Sequence, residues 1–156
     1  MAVTETSVDL MFLLSQASHS LQTEMTARLA ELGISPREHC VLSTAMTGDH
    51  TQIRLAEMCA VDKTTMVVTI DALERAGLAE RRPSSADRRV RIVSVTEAGE
   101  RIVAEAQAIV ARTYESVLAT LPDEQRAAFV DSLAHLVSGR LSSPPACEKP
   151  PRRRSP

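Results

Sequence analysis

The sequence predicts a mainly α-helical protein with one small β-hairpin. Three observations support this fold class. Apolar residues recur at helical spacing over several long stretches. A short helix, a tight turn and a second helix follow one another within residues 51–77, and two short strands flank a charged loop within residues 78–95. Only 2% of the 156 residues are aromatic and none is Trp, so the core must be aliphatic, which suits helices.

The first predicted element is a long amphipathic helix from Ser7 to Gly33. Three adjacent apolar residues, Met11, Phe12 and Leu13, widen its apolar face near the start. One small domain does not need so much apolar surface, so we expect a partner chain to cover part of it. The face itself consists of Leu10, Leu14, Ala17, Leu21, Met25 and Leu29.

The second helix begins with a capping box, Ser35 to Glu38, which has Pro at the first helical position. Gly48-Asp49 ends it. We expect Cys40 to be a small, buried or half-buried hydrophobic residue, with a reactive thiol as the alternative. The inward-facing residues are predicted to be Val41, Leu42, Ala45 and Met46.

The next two helices are short and close together. Thr51 and Asp62 are good N-caps for them, because their side-chain oxygens accept from the free N–H groups of a first helical turn. Cys59–Val61 forms the turn between them, and Gly77 ends the second helix. Two helices joined in this way match a helix-turn-helix, whose second helix can enter a major groove. The buried residues are predicted to be Leu55, Ala56 and Met58 in the first helix and Met66, Ile70 and Leu73 in the second.

The hairpin that follows is positively charged, although the whole chain has a net charge of −2. Its strands are predicted over residues 78–82, ending at Pro83, and over 90–95, with Val90, Ile92 and Ser94 on one face. A basic tip on an acidic protein is typical of phosphate contact. A solvated edge that deters aggregation is the alternative, and the position directly after a helix-turn-helix favours DNA. The arginines are Arg81, Arg82, Arg88, Arg89 and Arg91, against Glu80 and Asp87.

Two further helices complete the chain. Thr96 caps the first of them, and Leu121–Glu124 separates it from a final helix that ends at Gly139. Together with the first helix they are expected to form a dimerisation bundle; packing within one chain is the alternative. Their apolar faces are Ile102, Ala106, Ile109, Val110, Thr113, Val117 and Leu121, then Phe129, Leu133, Leu136 and Val137.

Several function classes are disfavoured. No apolar run could span a membrane, and the N-terminus has no export signal. The three cysteines, Cys40, Cys59 and Cys147, lack metal-ligand spacing, which fits a reduced, cytoplasmic protein without metal or cofactor. Enzyme motifs are absent, and His39 beside Cys40 has no third partner, so we expect no enzyme.

The helix-turn-helix and the hairpin together resemble the MarR (multiple antibiotic resistance regulator) family of bacterial winged-helix transcription factors. The Asp-x-Arg of the hairpin loop, Asp87 and Arg89, is the most specific part of the likeness. The resemblance covers roughly residues 7–140. The other matching motifs are Leu55-Ala56-Glu57, Val61-Asp62-Lys63-Thr64-Thr65, Leu73-Glu74-Arg75-Ala76-Gly77-Leu78 and Val93-Ser94-Val95-Thr96-Glu97-Ala98-Gly99.

The resemblance implies a single domain over residues 7–140. The winged helix-turn-helix would occupy about 35–96 and dimerisation helices about 7–32 and 97–140. The composition of residues 141–156, rich in Ser, Pro, Lys and Arg, separately predicts a disordered tail, whose arginine run adds weak phosphate affinity or is inert. The resemblance also implies a homodimeric regulator, a repressor, that binds a pseudo-palindromic operator in double-stranded DNA. A small lipophilic or phenolic effector would release it.

The resemblance also assigns roles to individual residues. Arg89 is expected in the minor groove, where a narrow groove concentrates negative potential, and Asp87 is expected to shape the wing by pairing with a nearby arginine. Arg82 and Arg88 are expected phosphate contacts. The remaining DNA-binding candidates are Lys63, Thr64, Thr65, Val68 and Ser84.

Two positions depart from the family pattern. Ala60 replaces a usual Gly, which predicts a tighter or slightly strained turn. Val67-Val68 replaces a polar or basic pair. Our hypothesis is that Val68 contacts thymine methyl groups while Thr64 and Thr65 supply hydrogen bonds. For Val67, the alternative is that it extends the buried stripe.

The sequence predicts an effector pocket and leaves two alternatives to regulated DNA binding. An effector pocket between the dimerisation helices and the winged domain would be lined by Met11, Phe12, His19, His39 and Met46. A winged-helix module that binds an acidic protein partner is one alternative to DNA binding. A redox sensor that uses Cys40 on the same frame is another.

Overall fold

A computed structural model describes residues 9–145, so predictions for residues 1–8 and 146–156 lie outside the described residues. The described part is mainly helical with one antiparallel hairpin, as predicted. It falls into two compact units, one ending at Thr113 and the other beginning at Tyr114. The elements are α1 (Leu10–Leu29), α2 (Pro36–Ala45), α3 (Gln52–Met58), α4 (Lys63–Arg75), β1 (Ala79–Pro83), β2 (Arg91–Val95), α5 (Glu97–Leu118) and α6 (Asp123–Ser138).

The predicted N-caps Ser35, Thr51 and Asp62 are confirmed, whereas α2 ends at Ala45, before the predicted Gly48-Asp49. Ser35 and Glu38 form both hydrogen bonds of the capping box, with Ser35 Oγ accepting from the Glu38 N–H at 3.1 Å. Thr51 accepts from the Arg54 N–H, and Asp62 accepts from the Thr65 N–H. A short 3₁₀ segment, Ala30–Leu32, extends α1 to Gly33, whose φ of +70° closes the helix end.

The main core of the first unit lies between α2, α3, α4 and the hairpin. The predicted stripe of α4 is confirmed, because Met66, Ile70 and Leu73 are completely buried. A second cluster joins the end of α1 to α5 through Met25, Leu29, Ile34 and Ala106. The other members of the main core are Val41, Leu42, Ala45, Leu55, Ala56, Ala79, Val93 and Val103.

Two methionines predicted to face inward do not. Met46 is 47% exposed and Met58 is 43% exposed. Each lies at or just beyond the C-terminal end of its helix, where α2 ends at Ala45 and α3 ends at Met58. The helical period used for the prediction no longer positions a side chain there, so both methionines lie at the surface.

The hairpin pairs Arg81 with Val93 and Arg82 with Ile92. Val90 of the predicted face lies outside the strand, since β2 begins at Arg91, and Val93 is buried as well as Ile92. The Val93 N–H donates to the His50 carbonyl at 3.0 Å, and His50 and Val93 form an isolated bridge. Strand β2 therefore has a neighbour at each edge, and burial does not simply alternate along it.

The base of the hairpin is joined tightly to α5. Thr96 Oγ1 donates to the Gly77 carbonyl at 2.6 Å and accepts from the Gly99 N–H at 3.1 Å. A Cβ at Gly99 would lie 2.1 Å from the Leu78 carbonyl oxygen and 2.7 Å from Val95 Cγ1. This close approach explains why glycine stands so early in a helix.

The apolar face of α5 differs from the predicted one. Val103 is buried although it was not predicted, Val117 is exposed, and Leu121 lies beyond the helix, which ends at Leu118. Val117 and Leu121 belong to the second unit, in which α6 has no buried residue within the single chain. Its predicted apolar side chains, Phe129, Leu133, Leu136 and Val137, are all exposed there.

Candidate nucleic-acid interface

The outward face of α4 is partly apolar. Val68 is 60% exposed, and Val67 is 38% exposed, so the alternative that Val67 belongs to the buried stripe is wrong. Lys63 and Thr64 are exposed in the first turn of the same helix. The face thus presents one charge, one hydroxyl group and two branched apolar side chains to solvent.

The predicted contact residue Thr65 is already engaged within the helix. Its N–H donates to Asp62 Oδ1 at 2.9 Å, and its hydroxyl donates to Asp62 Oδ2 at 2.6 Å. These hydrogen bonds from Thr65 hold the pKa of Asp62 below its ordinary value, so the cap stays charged at neutral pH. Thr65 therefore fixes the start of α4, while Thr64 is left with a freer hydroxyl.

The turn before α4 carries the predicted strain. Ala60 has φ of +51°, the only positive φ at a non-glycine residue among residues 9–145. A Cβ in this left-handed region costs about 1–2 kcal/mol relative to the right-handed one. The Val61 N–H donates to the Ala56 carbonyl at 2.9 Å, so the turn is closed by hydrogen bonding despite that cost.

The hairpin presents four exposed arginines, and three of them, Arg82, Arg88 and Arg89, are predicted DNA contacts. None of the three has an ion-pair partner among the residues that the structure describes. Arg82 and Arg88 line the same shallow depression of about 460 Å³, together with Asp49 and residues 83–85, whereas Arg89 lies outside it. Their charges are available to an anionic partner.

The loop between the strands is shaped by local hydrogen bonds. Asp87 Oδ1 accepts from the Arg89 N–H at 2.9 Å, and the Asp87 carbonyl accepts from the Val90 N–H at 2.9 Å. The prediction that Asp87 pairs with an arginine is wrong, because its carboxylate forms an Asx-type turn instead. Ser84 is buried and its Oγ accepts from the Ala86 N–H at 3.2 Å, so this predicted DNA-binding residue is a turn residue in the single chain.

Arg81 has a different role from the other hairpin arginines. Its guanidinium lies 2.8 Å from Asp71 Oδ1 and also pairs with Glu74, both on α4, and it donates to Gln52 Oε1 of α3 at 2.9 Å. The Arg81 N–H donates to Glu74 Oε1 at 2.8 Å. Arg81 therefore ties β1 to both helices. Sequence reasoning missed this network and counted Arg81 as a free charge, because no spacing rule links a helix end to a strand.

Comparison with known proteins agrees with this geometry. A model of the MarR family matches residues 32–90. CouR from Rhodococcus jostii RHA1 bound to p-coumaroyl-CoA is 27% identical, with a TM-score of 0.74 over 83% of this chain and 92% of that one. The transcriptional repressor CouR bound to a 23-mer DNA duplex is 26% identical, with a TM-score of 0.77 over 88% and 98%.

A MarR-family transcriptional regulator from Rhodococcus sp. RHA1 is 25% identical, with a TM-score of 0.75 over 85% of this chain and 96% of that one. The matched family model covers the helix-turn-helix and the hairpin loop, and the similar structures cover most of the chain. Residues 32–90 match the MarR family, and the described fold is that of MarR-type winged-helix regulators. The fold is that of winged-helix MarR-type transcriptional regulators, so the hairpin corresponds to their wing and α4 to their recognition helix.

The predicted effector residues occupy different places in the single chain. Met11 and His19 line one shallow groove on α1, and Phe12 lies outside it. His39 Nε2 lies 3.4 Å from Ser43 Oγ on α2, and partial burial lowers the pKa of His39. Met46 is a surface residue beyond α2.

Within residues 9–145, no helix is both long and apolar enough to cross a membrane.

Proposed function

We propose that this protein is a homodimeric repressor that binds a pseudo-palindromic operator in double-stranded DNA and is released by a small-molecule effector. The observation that carries this proposal is the position of Arg82, Arg88 and Arg89 on the wing, exposed and without an ion-pair partner among residues 9–145. They follow in the chain a recognition helix with an open outward face. A basic wing and an exposed helix are what backbone contact and base readout require.

In this proposal the two elements have separate tasks. Val68 contacts a thymine methyl group in the major groove while Lys63 and Thr64 contact phosphate or base edges. Arg89 enters the minor groove, and Arg82 and Arg88 contact phosphates. Ser84 and Thr65 act indirectly, since both already form hydrogen bonds that fix the wing loop and the start of α4.

A second copy of the chain is the proposed partner for the apolar faces. Leu10, Met11, Phe12 and Leu13 of α1 are all more than half exposed in the single chain. In the second unit, α6 exposes a separate apolar face. Exposed apolar area of this kind is typical of an interface. A two-fold dimer would read half-sites about 10–10.5 bp apart, centre to centre.

Effector control is proposed by analogy with the relatives. CouR, which is 27% identical, has been solved with p-coumaroyl-CoA bound, and the DNA-bound form of CouR is named a transcriptional repressor. An effector must bind more tightly to the form with the lower DNA affinity. A regulator that binds genomic DNA acts in the cytoplasm, and this proposal assigns the protein no catalytic role.

Selection from a pool of random duplexes, repeated across a salt series, tests the proposal. An enriched inverted repeat and an affinity that falls steeply with salt would support a dimeric DNA-binding regulator. Sedimentation of the complex on the selected duplex gives the number of chains bound. Weak binding without an enriched motif at any salt would overturn DNA binding and favour an acidic protein partner for the wing.

A further inference from the structure

Two cysteines from different elements lie side by side in the first unit. Cys59, which ends α3, has its Sγ 3.5 Å from Thr44 Oγ1 and 4.0 Å from the Cys40 carbonyl oxygen on α2. Cys59 Sγ therefore lies beside the stretch of α2 that carries Cys40, and both cysteines line the same cavity. The sequence placed them 19 residues apart with no motif between them, so only the fold reveals the pair.

Both cysteines line one cavity at the surface of the first unit. The cavity has a volume of about 430 Å³ and is lined by α1, the first turn of α2 and the turn Cys59–Val61. Cys40 is exposed, and Cys59 is partly buried against the main core. Cys40 is therefore not buried in the core, although its surroundings still desolvate the thiol. Arg37 also lines the cavity and supplies a positive charge for a carboxylate-bearing reagent.

We propose that Cys40 and Cys59 form a reversible intrachain disulfide that weakens DNA binding by displacing the turn before the recognition helix. This inference rests on the proposed DNA-binding function. The oxidant class is a low-molecular-weight disulfide, RSSR. One cysteine thiolate attacks RSSR and releases RS⁻, and the other cysteine then attacks the mixed disulfide and releases a second RS⁻. In sum, two thiols and RSSR give one protein disulfide and two RSH.

The reactivity of the pair favours slow exchange over rapid reaction with peroxide. Burial, followed by the neighbouring Cys59 thiol, raises the pKa of Cys40 above its ordinary value, so little thiolate is present at neutral pH. The oxidation state of such a pair is set by the redox potential of the surrounding thiol pool rather than by brief exposure to an oxidant.

The connection to DNA binding is short. A disulfide requires the two sulfurs to approach to about 2.05 Å, closer than hydrogen-bonding distance, so Cys59 must shift toward α2. Only Ala60 and Val61 separate Cys59 from Asp62, the N-cap of α4, and this segment is held tightly by hydrogen bonds and a left-handed Ala60. Because this segment is short and constrained, a shift of Cys59 also displaces the start of the recognition helix.

The test equilibrates the full chain in glutathione buffers from fully reduced to fully oxidised, then measures peptide masses and affinity for the selected operator. Trypsin separates Cys40 on peptide 38–54, Cys59 on peptide 55–63 and Cys147 on a third peptide. We expect a linked 38–54/55–63 pair, a monomeric band on a non-reducing gel, and an operator affinity that falls at least about tenfold, within the usual range of allosteric coupling. Dithiothreitol should restore the affinity.

Matched variants identify the thiols responsible. Cys147→Ser should retain the oxidised link and the affinity change, whereas Cys40→Ser and Cys59→Ser should lose both. Absence of the linked peptides from the wild-type chain in the most oxidising buffer overturns the proposal, and so does a link that leaves operator affinity unchanged. If the reduced protein binds no duplex at all, the proposed DNA-binding function fails, and the peptide masses still show whether the disulfide forms.

Discussion

The base and the tip of the wing are built differently. At the base, Arg81 pairs with α4, Thr96 bridges Gly77 and Gly99, and Gly99 touches the hairpin backbone. At the tip, Arg88 and Arg89 are exposed and have no ion-pair partner among residues 9–145. Arginines only a few residues apart in sequence therefore have opposite roles: one holds the wing in place, and the others are free for a ligand.

This difference separates stability from binding. Changes at the base should destabilise the fold and impair DNA binding only as a consequence. Changes at the tip should weaken DNA binding while the free energy of unfolding stays the same, because exposed charges contribute little to stability. Each variant below is expected to fall on one side of this division.

The largest expected effect is at Gly99. Gly99→Ala places a Cβ 2.1 Å from the Leu78 carbonyl oxygen, which is backbone and cannot move freely. We expect the free energy of unfolding to fall by about 3 kcal/mol or more, measured by urea denaturation. Gly48→Ala is the matched control, since its Cβ would meet only ordinary contacts at 3.6 Å with His50. Equal stability of the two variants would contradict the tight packing of the wing base.

A smaller loss of stability is expected at Arg81. Arg81→Ala leaves Asp71, Glu74 and Gln52 without their shared partner and should cost about 1–3 kcal/mol of unfolding free energy. Arg81→Lys should recover only part of this, because one ammonium cannot reproduce the forked contacts of a guanidinium. If Arg81→Ala were as stable as the wild type and lost only DNA affinity, Arg81 would belong with the tip.

At the tip, Arg89→Ala tests DNA contact directly. We expect operator affinity to fall by about tenfold, which is about 1.4 kcal/mol, and the salt dependence to flatten by about one phosphate equivalent. The midpoint of urea denaturation should not change. Arg101→Ala removes the same charge from an exposed site on α5 and should leave affinity unaltered. Equal affinities for the two variants would rule out the assigned role of Arg89.

Most of the fold could be predicted because its signals are local. Capping residues such as Ser35 and Asp62, and terminating glycines such as Gly33 and Gly77, act within a few residues of themselves. The buried stripe of α4 follows from helical period alone. The failures occurred where the local rule ends, as at Met46 and Met58 beside helix C-termini.

The site was less predictable because it depends on contacts between distant residues. Whether Arg81 is free or paired is decided by Asp71 and Glu74 on another element, and the proximity of Cys59 to Cys40 depends on how α2 packs against the turn. The family resemblance correctly indicated a regulator, but it gave Asp87 an arginine partner that the loop replaces with a backbone N–H. Residue roles inferred from a family need the local geometry before they can be assigned.

The smallest expected effect lies on the recognition helix, where readout is proposed to be apolar rather than ionic. Val68→Ala removes two methyl groups and should cost about 1 kcal/mol at one thymine position while stability and salt dependence stay the same. Replacing that dT by dU removes the methyl group from the DNA side. If Val68 touches the thymine methyl group, replacing dT by dU should lower the DNA affinity of the wild type but not that of Val68→Ala. Val67→Ala is the control, because Val67 lies at the edge of the face, and its DNA affinity should still fall with dU. If Val68→Ala binds every duplex with unchanged affinity, the exposed valine has another partner. DNA would then be read without an apolar contact from the recognition helix, and the charged wing alone would account for binding.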